Sequence, residues 1–323
     1  MILLIIIILL LKIKNKKEVC SMTNKLTSIT LVTRQFTKNA KPNDFKKKEF
    51  IKEFKSNFFT PLNNLTKNAK NIKKIVVIFC GDQESEWAEK YNEDDENPAS
   101  YSCLHQLIGS PEYRKDWKIN NIQIVPVICT NWGANAGSAT ALNDGLKEVE
   151  TELVLIWSKE MPLLAHNVNE AISLVNQEDL VVVGFLREGW ENKNAWNVPQ
   201  NTAAIWNTSH LKSINGFSKI CNGGLGDKVT LKSGIAKDVA GMEDMEALMR
   251  LVIINSNYKY AMLGKKNPIK SSHGKEEYTE AEKTRNSEKT ERQPLVLQKY
   301  FDRLDPGSKM GIEAIIYKNL KIY

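Results

Sequence analysis

"IQIVPVICTNWGANAGSATALNDGLKEVETELVLIW", residues 122–157, decides the fold. Residues 122–131 form an apolar run without alternation that ends at Thr130 and Asn131; "NDGLKEV" (143–149) belongs to a helix; Leu153 to Trp157 is a second unbroken apolar run, stopping at Ser158, Lys159 and Glu160. A strand apolar on every side chain is covered on both faces, and a helix between two such strands makes a parallel crossover. The pattern continues outward. "KIVVIFCGD" (74–82) is a buried strand followed by a helix around Tyr101 to Ile108; "AHNVNEAISLVNQ" (165–177) is a helix and "LVVVGF" (180–185) a strand. The alternation predicts an α/β fold, a Rossmann-like, mainly parallel sheet flanked by helices. Ligands in such sheets bind beyond the carboxyl ends of the strands, which puts Asp82, Asn131 and Ser158 to Glu160 along one rim.

Composition is that of a folded chain: of 323 residues, 42% are hydrophobic, 8% aromatic and 26% charged, with none of the bias of collagen or disorder. The five cysteines (20, 80, 103, 129 and 221) are odd in number. Without a CxxC or Cys/His cluster they read as small buried hydrophobes in a reducing, cytoplasmic compartment rather than zinc ligands. Residues 1–21 form a hydrophobic leader that is too short for a span and lacks the charged start of a signal peptide. It reads as an upstream artefact before a start at Met22, or as an anchor. From Lys12 to Lys74 there are 17 Lys and Arg against 4 Asp and Glu, while the remainder is net negative. That basic stretch is a solvated lysine face, or one able to touch an anionic membrane peripherally. It does not interleave aromatics as a nucleic-acid platform does. Phe45, Phe50, Phe54, Phe58 and Phe59 recur at near-helical spacing and predict a helix docked on the core.

Between the two central runs lies a segment rich in Asn and Gly, 131–146. Gly133 and Gly137 allow tight turns and close approach of backbone amides to a phosphate or sugar. It is neither GxGxxG nor GxxxxGK[ST], so a dinucleotide fingerprint and a P-loop are both absent. "FCGDQESEW" likewise lacks the glycine-rich signature of a sugar nucleotidyltransferase.

The order of segments carries a resemblance. "NWGANAGSATALNDGL" (131–146), the strand ending in Ser158-Lys159-Glu160, "NTAAIWNTSHLKSINGF" (201–217) and "GMEDMEALMRLV" (241–252) together resemble GT-A glycosyltransferases of the family 2 type over residues 74–265. The resemblance implies transfer of a sugar from a nucleotide-sugar donor to a hydroxyl of a glycan or lipid-linked acceptor, with inversion. It implies donor contacts by Asn131, Gly133, Gly137 and Asn143, a turn at Asn215-Gly216-Phe217, and an acidic pair, Glu243 and Asp244, with Asp244 as general base. A sugar hydroxyl is a weak nucleophile until a carboxylate accepts its proton. Ser158-Lys159-Glu160 occupies the D-x-D position, where two acids hold a divalent cation; only Glu160 is acidic here, and His273 falls where a late histidine completes the metal shell. That departure sets a Mn or Mg site on Glu160 and His273 against a Lys159 charge in place of the metal, and against a pseudo-transferase that keeps the fold as a binding or scaffold module.

Other assignments rest on residue type. Asp82 is placed to contact base or ribose, and Trp190 and Trp196 supply aromatic faces for an acceptor sugar. His105, His166 and His210 read as helix or cap residues. The expected organisation is a leader (1–21), a basic N-terminal extension (22–73), the GT-A-like domain (74–265) and a charged C-terminal extension (266–323) that packs back through "LVLQKYFDRL" (295–304).

Overall fold

Strands with no polar face must be sandwiched, and the architecture follows from that requirement. The computed structural model describes residues 27–36, 58–80, 118–129, 139–159, 161–188, 199, 203–218, 228–238, 243–270, 280, 284, 287, 288, 291, 295 and 319–323. Within these the chain runs β1 (Ile29–Phe36), α1 (Thr60–Thr66), β2 (Ile72–Cys80), β3 (Lys118–Ile119), β4 (Ile122–Ile128), α2 (Ala139–Lys147), β5 (Leu153–Trp157) and α3 (Ala165–Glu178). It continues through β6 (Leu180–Phe185), β7 (Ala203–Asn207), α4 (Thr208–Ser213), β8 (Lys228–Thr230), β9 (Ala236–Asp238), α5 (Glu243–Ile254), β10 (Lys259–Leu263) and β11 (Leu320–Ile322).

Nine strands form one sheet in the order β11-β10-β6-β7-β5-β1-β2-β4-β3; β8 and β9 pair separately as a hairpin. β7 and β3 run antiparallel to their neighbours and the other strands share one direction. The mainly parallel, helix-covered sheet expected from the sequence is present.

Alternate residues of the central strands feed two cores. Val32, Val76, Ile78, Val154, Ile156 and Trp206 pack with residues of α2, α4 and α5 on one face. Leu31, Ile75, Val77, Leu155, Trp157 and Ile205 pack with residues of α1 and α3 on the other. All five side chains of β5 are buried because both faces are covered. Gly145 sets how closely α2 lies on the sheet: a Cβ there would come within 2.7 Å of Ile78 and 2.9 Å of Val32. Helix α3 is amphipathic, burying Val168, Ala171, Ile172 and Val175, and ends at Asp179 in a left-handed conformation (φ 52°).

The expected boundary at residue 74 does not hold for the sheet. β1, inside the segment read as a basic extension, is a central strand paired with β2 on one side and β5 on the other. Its polar letters conceal its burial. Thr30 and Thr33 are 0% and 1% exposed, and Thr30 meets the hydroxyl of Thr151 at 2.8 Å, which makes a threonine acceptable in the interior. The extension reading rested on summed charge, whereas a strand is buried or not residue by residue. Phe58 of the same segment is 1% exposed in the core beneath α1; Phe45, Phe50 and Phe54 lie outside the described residues.

The boundary at 265 is crossed as well. β11 pairs with β10, and the Tyr323 carbonyl accepts from the amides of Gly264 (3.1 Å) and Lys265 (2.8 Å). Leu295 packs against the core on the α2, α4 and α5 side. Among the described residues no helix is long and apolar enough to cross a membrane.

Candidate functional site

β5 ends at Trp157, opposite Thr33 of β1, at the middle of the sheet, while β1 runs on to Phe36 beside β2. Beyond that rung both segments turn polar, with Arg34 after Thr33 and with Ser158 and Lys159 after Trp157. The end of β5 is held firmly. The Ser158 carbonyl accepts from the Met161 amide at 2.9 Å, and the indole N–H of the buried Trp157 donates to the Met161 carbonyl at 2.7 Å. The rim therefore ends in a fixed turn rather than a fraying strand.

Helix α5 brings the acidic pair to this rim. Arg34 Nη1 of β1 stands 3.9 Å from Glu243 Oε1 at the start of α5, with side-chain exposures of 18% and 6%. Glu243 is buried and Asp244 partly buried. Asp244 Oδ1 accepts from the Met245 amide at 2.9 Å, the behaviour of an acid in a first helical turn, where free amides and the helix dipole favour negative charge.

One turn further along α5 a second acid and arginine fix the helix. Arg250 Nε lies 2.6 Å from Glu246 Oε1 and its Nη2 donates to Oε2 at 2.8 Å, a two-pronged pair whose carboxylate is 4% exposed. The same guanidinium donates to the carbonyls of Ile214 and Gly216, the latter at 2.6 Å. Planar, five-donor arginine suits such a junction; lysine could not span it.

The turn that Arg250 grips is Asn215-Gly216-Phe217. Asn215 and Gly216 are both left-handed, with φ of 57° and 70°, and their amides return to Lys212 and Leu211 to close α4. Asn143 of α2 holds the far side: its side-chain amide donates to the Phe217 carbonyl at 2.7 Å and its Oδ1 accepts from the Phe217 amide at 2.8 Å. Asn143, assigned from the sequence to the donor, thus has both of its amide atoms on the Phe217 backbone here. A Cβ on Gly216 would collide with that Oδ1, so glycine is required by conformation and by space. Phe217 is 1% exposed and packs edge-on against Trp206 with ring centroids 5.8 Å apart. α2, the 215–217 turn and α5 are thus one cross-linked unit.

Solved structures to which the chain is similar include three at low identity. They are the mannosyltransferase PcManGT from Pyrobaculum calidifontis in complex with GDP-Man and Mn2+, S. aureus TarS residues 1–349 in complex with UDP, and M. tuberculosis glucosyl-3-phosphoglycerate synthase. Identities are 12%, 13% and 9%, with TM-scores of 0.49, 0.42 and 0.43. The match covers 90%, 76% and 79% of this chain and 69%, 60% and 75% of theirs. No protein-family model matches the chain, and no curated protein matches it.

Of the residues assigned from sequence, Glu243, Asp244, Asn143 and Ser158 are described. Asp82, Asn131, Gly133, Gly137, Glu160, Trp190, Trp196 and His273 lie outside the described residues. Ser158 and Glu243 come to one rim; Asn143 belongs to the clamp behind it. His210 is a helix residue whose ring contacts Tyr258, with centroids 4.6 Å apart. A divalent cation needs converging oxygens, preferably carboxylates; no group of three His, Cys, Asp or Glu converges among the described residues, and Glu160 and His273 lie outside them. Sequence reasoning missed Arg34, Glu246 and Arg250. Only Arg34 left a trace, as a charge at the end of a short apolar run.

A hollow of about 590 Å³ opens at the opposite, amino end of the sheet, lined by Thr151, Glu152, Asn176, Asp179, Thr208 and Lys212 among others. It lies away from the acidic pair and contains none of the assigned residues.

Proposed function

We propose that the chain is a glycosyltransferase that moves a sugar from a nucleotide-sugar donor to a hydroxyl of a glycan or lipid-linked acceptor. The observation that carries this reading is the 3.9 Å approach of Arg34, one residue past the last rung that β1 shares with β5, to Glu243, the first residue of α5. It supports a carboxylate pair at the rim where sheets of this kind bind ligands. Asp244 is the group assigned to take the acceptor's proton. As the acceptor oxygen bonds to the anomeric carbon, that carbon's bond to the diphosphate oxygen breaks, the electron pair leaves with the diphosphate, and one displacement inverts the centre. Glu243, held by Arg34, orients the start of α5. The segment 131–138 precedes α2 and is assigned to the donor, and Trp190 and Trp196 to the acceptor sugar. The chain is assigned to the cytoplasm, with its basic N-terminal segment on an anionic membrane surface.

A second reading draws on different observations. Asn143 is engaged with the Phe217 backbone and Asp244 with the Met245 amide, which favours a protein that keeps the fold as a binding or scaffold module without turnover. Titration calorimetry with UDP, GDP and CDP, with and without manganese, followed by incubation of the tightest nucleotide's sugar conjugates with glycan acceptors, separates them. Binding with release of nucleoside diphosphate supports the transferase; binding without release supports the module. Absence of nucleotide binding in every condition rejects the transferase and favours the module. Binding strictly dependent on manganese would restore a cation site on Glu160 and His273.

A further inference from the structure

The two helices on which the transferase reading depends are joined through one turn. Residues 214–217 follow α4 and are held from two sides. From α2, Asn143 donates to the Phe217 carbonyl at 2.7 Å and accepts from its amide at 2.8 Å. From α5, Arg250 donates to the carbonyls of Ile214 and Gly216, the second at 2.6 Å, while its Nη2 also donates to Glu246 at 2.8 Å. The turn has no slack: Gly216 has a φ of 70°, and a Cβ there would collide with the Asn143 Oδ1.

Apolar packing alone would not fix how these helices lie. Leu142 and Leu146 of α2 share one core with Phe217 and with Met245, Leu248 and Met249 of α5, but the hydrophobic effect is non-directional. Hydrogen bonds have preferred lengths and angles. Arg34 brings the start of α5 to the sheet at 3.9 Å, longer than a hydrogen bond; the Arg250 clamp sets the direction of the helix. Arg250 lies about 9 Å along α5 from Asp244, so a tilt of about 6° about the clamp displaces that acid by about 1 Å. A misplacement of about 1 Å costs about 10²-fold in rate. On the other side, Asn143 lies about 6 Å along α2 from Ala139, where the segment assigned to the donor ends.

We propose that Asn143 and Arg250 are positioning residues: through the 214–217 turn they hold α2 and α5 in one fixed relation, which sets the Asp244 carboxylate against a donor bound before α2. The inference rests on the transferase reading for the roles of Asp244 and of residues 131–138. Its own claim is that this turn fixes the relation between them, and neither positioning side chain touches substrate.

The test uses the full chain with the nucleotide sugar and glycan acceptor that it turns over. It compares kcat, donor KM and melting temperature for Asn143→Ala, Arg250→Lys, their double variant and Val168→Ala, assayed well below the lowest melting temperature. Val168 is buried in α3 on the opposite face of the sheet and serves as the stability control. Each single variant should lower kcat by about 10- to 100-fold with donor KM within about threefold; lysine keeps the charge of Arg250 but not its fork. Because both side chains act on one turn, the double variant should be no more than about threefold slower than the worse single one, and a multiplied loss contradicts the shared turn. Val168→Ala should lower the melting temperature comparably while leaving kcat within about twofold. An unchanged kcat, a raised KM at unchanged kcat, or an equal loss of kcat in Val168→Ala overturns the inference and leaves the transferase reading standing. No turnover of any UDP-, GDP- or CDP-sugar by the wild type overturns both. The wild type also gives a test that needs no variant to fold: the tightest binder among UDP, GDP and CDP should slow amide hydrogen exchange over 214–217 and 243–250 as well as 139–147. Slowing confined to 139–147 overturns the common mounting.

Discussion

The two ends of the sheet handle charge in opposite ways. At the carboxyl end, buried acids meet half-buried arginines that join different elements: Arg34 reaches α5, and Arg250 ties α5 to the turn after α4 while Asn143 brings in α2. At the amino end Lys74 is as half-buried as those arginines, but its acid stays wet. Lys74 donates to the Glu148 carbonyl at 2.9 Å and approaches Glu150, whose side chain is 84% exposed. Lys212 reaches the Val149 carbonyl at 2.6 Å beside the open hollow. Burying a charge costs free energy unless it is matched, so the buried, matched end is where removing one partner does most damage. The hollow, although sizeable, has no such network behind it.

The contrast can be broken in several places. If the carboxyl rim is catalytic, Asp244→Asn lowers the transfer rate by about 10²–10⁴-fold with no change in melting temperature; kinetics and thermal melting of the same sample decide it, and an unchanged rate would reduce that rim to a structural junction. Arg250→Ala strands the buried Glu246 carboxylate and two carbonyls, and should cost about 3–5 kcal/mol in urea unfolding. Gly216→Ala demands a left-handed alanine and pushes on the Asn143 amide, for about 2 kcal/mol. At the amino end Lys74→Ala should stay within about 1 kcal/mol, because an exposed pair is screened; a loss comparable to that of Arg250→Ala would abolish the distinction between the ends.

The smallest effect concerns β11. A hydrogen bond from Lys321 holds the Glu178 carboxyl below its ordinary 4.5, with their charge attraction adding to it. The same bond raises Lys321 above its ordinary 10.5. A lowered acid contributes stability that is present above 4.5 and lost as pH falls through its depressed value; a raised lysine contributes below 10.5 and loses it as pH rises past its elevated value. The melting-temperature difference between the wild type and Lys321→Met should therefore be small and constant from about pH 5 to about pH 9 and vanish toward about pH 3. A difference that grows in acid contradicts this anchoring of the sheet edge.

Legibility in the sequence tracked the range of the forces involved. "LVLIW" and "LVVVGF" announced covered strands and "AHNVNEAISLVNQ" a helix, because an uninterrupted apolar run and a 3.6-residue period are written locally. β1 was not legible: Thr30 and Thr33 look like surface residues until the hydroxyl of Thr151, 121 positions away, is seen to meet Thr30. The acidic pair at 243–244 was legible as residue types, but its partner Arg34 was not.

By itself the sequence determined a mainly parallel α/β sheet, its carboxyl rim, and a strand end that turns polar at Ser158-Lys159-Glu160. Only the tertiary structure decided that the segment before residue 74 supplies a central strand, that Asn143 grips Phe217 from 74 positions away, and that Arg34 faces Glu243. The reason is physical: burial patterns are periodic along the chain, whereas hydrogen bonds and ion pairs between distant segments depend on where folding places both partners.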